Sequence, residues 1–129
     1  MTLLALLATA LLFGGMVLYS FGFAAFLFSS LPATQAGPLL RRAFPHFYLF
    51  VLVASVVAAL CLLSNDMTGA ALMGLVAATV IPTRQILMPA INLATDTGRT
   101  QRFKALHTLS VGITLGHIGI AAWVLCRFI

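Results

Sequence analysis

From Leu3 to about Leu31 the chain is apolar almost without interruption, and a domain folded in water has no place for such a stretch. Crossing the hydrocarbon core of a bilayer takes roughly 20 mostly apolar residues at about 1.5 Å of helical rise each. Segments at about 3–30, 45–63, 68–90 and 105–128 meet that length. The longest connection left between them is too short to bury a core of its own. An all-α membrane protein is therefore expected, a bundle of four transmembrane helices forming a single membrane domain over residues 1–129. Hydrophobic residues make up 62% of the chain and charged residues 7%, so lipid and not water is the solvent this surface suits.

Local signals place the breaks. Leu31-Pro32 ends the first span, and Gly37-Pro38 reads as a loop before a second helix that opens at Pro45, a residue suited to a first turn. Ser64-Asn65-Asp66 reads as a tight turn whose carboxylate caps the third helix. Pro82 and Pro89 are expected to kink that helix. The start of the chain carries no basic side chain before its apolar run, which reads as a retained span and not as a cleaved signal.

Basic residues near span ends set orientation. Arg41 and Arg42 lie in the first connection and Arg99, Arg102 and Lys104 in the third, while the second has none. Both termini are thus expected outside and loops 1-2 and 3-4 in the cytoplasm, in a multi-pass protein of the cell membrane such as a bacterial inner membrane. Trp123 and Tyr48 fit interfacial anchors at opposite faces. The net charge of +5 lies beside membrane-length segments and not on a soluble face, which points to anionic lipid headgroups and away from nucleic acid.

Helices associate in lipid through small residues and scarce polar groups. Ala8, Gly15, Gly22 and Ser29 recur every seven residues and predict a packing seam on the first helix. On the fourth, Gly112, Gly116 and Gly119 share a side with Trp123, whereas Lys104, His107, Ser110, Thr114 and His117 lie roughly opposite, so protein contact is expected on both. The third helix groups Arg84, Gln85, Met88, Asn92, Thr95 and Asp96 on one arc. Turning the two polar arcs together gives a polar compartment in the cytoplasmic half of the bundle, with Arg84, Gln85, Asn92, His107, Ser110 and His117 as candidate ligand-binding residues. Arg84 has the alternative of snorkelling to the interface. Asp96 is too far along the helix to pair with Arg84, which leaves Arg99 or Lys104 as its nearer partner.

His46 and His107 begin the second and fourth spans at similar depth and form a candidate pair for a metal ion or haem; the alternative is one interfacial and one hydrogen-bonded histidine. Cys61 and Cys126 approach the same end and would bridge only if their Cα atoms come within about 7 Å. No nucleophile elbow, phosphate loop or paired carboxylate is present, so enzyme chemistry has little support.

Several of these residues carry a resemblance. Phe44-Pro45-His46-Phe47-Tyr48 opens the second span, Arg84 precedes Met88-Pro89-Ala90-Ile91-Asn92 on the third, and Phe103 precedes Leu106-His107-Thr108-Leu109-Ser110 on the fourth. In these, and in its glycine-bearing first span, the chain resembles the four-span proteins grouped around transmembrane protein 205, or domain-of-unknown-function family 4149. Where that family often has an Asn in the last span, this chain has Thr114 and His117. The resemblance implies a polytopic membrane protein without an established reaction, and an association with metal handling in parts of the family.

Three functions compete: ligand binding or transport around a polar cavity, an accessory role in a homo-oligomer or larger membrane complex, and a haem or metal protein. The orientation beneath them is directly testable. Reporter fusions at Ile129 and near Pro38 are expected to report an outside C-terminus and a cytoplasmic first loop, and a cytoplasmic Ile129 overturns the topology.

Overall fold

The structure, a computed structural model, describes residues 2–129. Four helices account for nearly all of them: α1 Thr2–Ser30, α2 Ala33–Leu62, α3 Met67–Asp96 and α4 Thr100–Cys126, each long and apolar enough to cross a membrane. No strand occurs among the described residues. The helices form a ring in chain order, with α2 packed on α1 and α3, and α4 packed on α3 and α1. Leu12 and Met16 of α1, Val51 of α2, Met73, Val76 and Val80 of α3 and Val124 of α4 fill the middle with almost no exposure. Large apolar side chains such as Leu11, Phe26, Leu60, Ile86 and Leu109 cover the outside, as lipid requires.

The first break is sharper than the sequence suggests. Leu31 is extended at φ −130° and ψ 151°, the conformation that a following proline imposes. α2 then starts at Ala33 and not at Pro45, so Gly37-Pro38 is helical and both Pro38 and Pro45 lie inside α2. A proline in a helix deprives the carbonyl four residues back of its partner. Here those carbonyls belong to Thr34 and Arg41, both exposed at the helix end, where water or headgroups can satisfy them. The early turns are held by burial, since Ala36 and Leu40 pack with Leu27 of α1.

Two turns are widened to π-helical geometry: Leu18–Phe23 in α1 and Thr83–Leu87 in α3. In α3 the widening lies between Pro82 and Pro89, and the Met88 N–H bonds the Thr83 carbonyl five residues back. Opening this turn relieves the crowding that Pro89 would impose on the preceding one. An inserted residue also rotates everything beyond it by about 100°. The small-residue seam on α1 shows the effect. At Gly15 an added Cβ would lie 2.5 Å from the Phe50 ring, a true close approach, whereas Gly22 and Ser29, on and past the widened turn, are exposed.

The glycine face of α4 also departs from expectation. Added Cβ atoms at Gly112, Gly116 and Gly119 would meet nothing within 4 Å, because that side points out of the bundle. Tyr48 is 4% exposed and belongs to the interior, not to an interface. Trp123 is exposed, with the Arg127 guanidinium 4.8 Å from its ring centroid. Cys61 and Cys126 are free thiols.

The chain has two acidic residues, and each clasps an arginine from another part of the ring. At one end Asp96 of α3 binds Arg41 of α2 through both nitrogens, at 2.6 and 2.9 Å. This replaces the expected Arg99 or Lys104, because packing of α2 on α3 brings a guanidinium into two-pronged register that neighbours in sequence do not match. At the other end Asp66 caps α3 by accepting the Gly69 N–H at 3.0 Å, and binds Arg127 at 2.6 and 2.8 Å.

Arg127 and the Gly69 amide hold the Asp66 carboxyl well below its usual range, at about 2. A depressed carboxylate adds stability that is complete above its unfolded value near 3.8 and disappears as pH falls toward 2. Thermal stability in detergent should therefore fall between about pH 4 and pH 2. Asp66→Asn should flatten that part of the profile, and an unchanged slope would show that the clasp does not form.

Candidate functional site

Helix α2 enters the interior through Phe44-Pro45-His46-Phe47-Tyr48, and this turn touches every other helix. Phe47 stacks on Tyr19 of α1 at 4.1 Å and 12°, and Phe44 meets the same ring edge-on at 5.7 Å. The Pro45 carbonyl accepts a hydrogen bond from Arg84 Nε of α3 at 3.3 Å. Across the ring, Tyr48 Oη and Ser110 Oγ of α4 share a hydrogen bond of 3.2 Å. The Tyr19 hydroxyl is enclosed and has no hydrogen-bond partner among the described residues.

The six candidate ligand residues are distributed over different surfaces. The widened turn directs Arg84 to α2, where it is half-buried against Pro45. Ser110 is buried against Tyr48, and His117 is buried against Thr79 of α3. Gln85 is exposed and Asn92 is half-buried. His107 is exposed and stacks on Phe103 of its own helix at 5.4 Å, and His46 is exposed as well. Among the described residues no group of three or more His, Cys, Asp or Glu side chains is placed to hold a metal ion.

From α3 to α4, Thr79 Oγ1 and His117 Nε2 share a hydrogen bond of 2.8 Å. Thr79 Oγ1 also lies 2.8 Å from the Leu75 carbonyl. A carbonyl only accepts, so the single hydroxyl proton goes to Leu75 and the histidine must donate. This assigns the Nε2–H tautomer and leaves Nδ1 as an acceptor with no hydrogen-bond partner among the described residues. Four residues on, Thr83 Oγ1 donates to the Thr79 carbonyl at 2.8 Å. Neither threonine was singled out in the sequence. Their i, i+4 spacing in an otherwise apolar stretch marks a common polar strip.

This strip lines a groove of about 650 Å³ between α3 and α4 that is open sideways. Leu75, Pro82, Ile86, Leu106, Ile113 and Ile120 supply apolar walls, Gly116 leaves room on the α4 side, and Arg102 stands at one end. Beside it a smaller hollow of about 340 Å³ is bounded by Leu93, Ala94, Thr97, Arg99 and Arg102.

A family model described as Domain of unknown function (DUF4149) matches residues 7–100. The chain belongs to that family. No curated protein and no solved structure matches it. In this DUF4149 member the matched stretch holds the aromatic turn of α2, Arg84 and the threonine strip of α3, whereas Ser110 and His117 on α4 lie past it.

Thr79→Val keeps the shape of the side chain but leaves the His117 N–H without an acceptor. The expected loss is about 1–3 kcal/mol of stability in detergent, most of it absent when His117 is already Phe. Additive effects in that double-mutant cycle would separate the two side chains.

Proposed function

We propose that this DUF4149 protein binds a small ligand inside the membrane, in the groove between α3 and α4, in a binding or transport-related role. The observation that carries this is the His117–Thr79 pair in the groove wall, a polar contact within a surface that is hydrocarbon apart from Thr83 and the Arg102 end. Polar groups within membrane spans are expensive and favour functional sites. A volume of about 650 Å³ with few polar groups also suits a small-molecule site. Binding is favoured over acid–base chemistry because both carboxylates are engaged in arginine clasps away from the groove. In the topology set by the basic residues, the end holding Arg41, Arg99, Arg102 and Lys104 is cytoplasmic, so Arg102 marks the inner mouth.

A second role, as a subunit of a larger membrane assembly, is favoured by one feature. Gly112, Gly116 and Gly119 present a smooth outward strip of the kind at which membrane helices approach closely.

Gly116→Leu tests the ligand site. Because a Cβ there meets nothing within 4 Å, the change should leave thermal stability within about 0.5 kcal/mol while filling the groove. Wild-type protein is expected to retain a small hydrophobic or amphiphilic molecule, detected by native mass spectrometry, and the variant to lose it. Equal retention by both would overturn the site.

A further inference from the structure

We propose that the occupant of the groove is an anionic lipid, its acyl chain lying between α3 and α4 and its phosphate held by Arg99 and Arg102; this rests on the ligand-binding role proposed above. The geometry joins two unlike spaces at one side chain. Arg102 bounds both the apolar groove and the small hollow that Arg99 also lines. An amphiphile has the same plan, with a charged head that fits the hollow and a tail that fits the groove.

Charge fixes the sign of the head. The two acidic residues are bound to Arg41 and Arg127, and among the described residues neither Arg99 nor Arg102 takes part in an ion pair or a side-chain hydrogen bond. Two exposed guanidiniums at the mouth of an apolar groove match a phosphate, which arginine binds through paired N–H donors. Length fits too. From Arg102 to His117 the groove follows α4 for about 22 Å, more than the half-thickness of a hydrocarbon core of about 30 Å, so a chain from the adjacent leaflet can lie along it. The sideways opening faces the phase in which lipid is the most abundant solute.

Native mass spectrometry of the whole chain in detergent, titrated with phosphatidylglycerol and with phosphatidylcholine of the same acyl chains, tests the inference. Wild-type protein is expected to prefer phosphatidylglycerol. Combined Arg99→Gln and Arg102→Gln should weaken phosphatidylglycerol roughly thirty-fold, down to the phosphatidylcholine level, at about 1 kcal/mol for each lost cation. Arg42→Gln, which removes an exposed charge that lines neither the groove nor the hollow, should leave the preference intact, and an equal loss there would reduce the effect to general surface charge and overturn the site. Inorganic phosphate that binds alone and displaces phosphatidylglycerol would identify a soluble anion as the ligand and also overturn it. Equal binding of both lipids by wild type, still abolished by Gly116→Leu, would overturn the anionic assignment and leave the groove as a binding site. Lipid binding indifferent to Gly116→Leu would remove both.

Discussion

The Phe47 ring lies flat on Tyr19, with centroids 4.1 Å apart, and the rest of the bundle is positioned from that contact. It fixes the depth at which α1 crosses α2. From the same turn the Pro45 carbonyl meets Arg84 on one side, and Tyr48 reaches through the interior to Ser110 on the other. In lipid, apolar surface gives no reason for one helix pair to prefer another, so directional contacts and shape must choose. This turn of α2 supplies stacking, a carbonyl and a hydroxyl to three different neighbours.

The spans were legible because hydropathy over membrane length is a strong signal and four helices carry it. Two kinds of feature were not. Pro38 and Pro45 read as punctuation, since in water an interior proline usually ends a helix; in α2 the deprived carbonyls are exposed and the backbone continues. The second obscured feature was rotational phase. Arcs drawn at 100° per residue assume an unbroken ladder, and the widened turn at Thr83–Leu87 violates that assumption beside Arg84 and Gln85. Arg84 therefore meets α2, while His117 meets α3 at Thr79, on the unwidened part of that helix. His107 could not be placed from pattern alone, because the choice between ligand, core and stacked surface residue depends on which helix lies opposite.

Scarcity of acids gives the charge distribution its order. Asp66 and Asp96 lie at opposite ends of α3, so each end of that helix is tied to a different neighbour, the C-terminal residues after α4 through Arg127 and α2 through Arg41. Exposed pairs of this kind are weak, but their two-pronged geometry selects one vertical register between helices that could otherwise slide. The remaining basic residues near the Asp96 end have no internal anion to satisfy them.

The connections are as restrictive as the contacts. Leu31-Pro32, the turn from Leu63 to Asp66, and the bend from Thr97 to Arg99, where Gly98 takes a φ of 67°, tie each helix closely to the next. The ring thus has three stitched joints and one open one, between α4 and α1. Helices joined by so little chain cannot trade places, and at the end away from Gly98 the Asp66–Arg127 clasp holds the end of α4 to the start of α3 as well. The α3–α4 pair is thus pinned at both ends, by the bend at Gly98 and by that clasp, and the groove lies in the stretch between them.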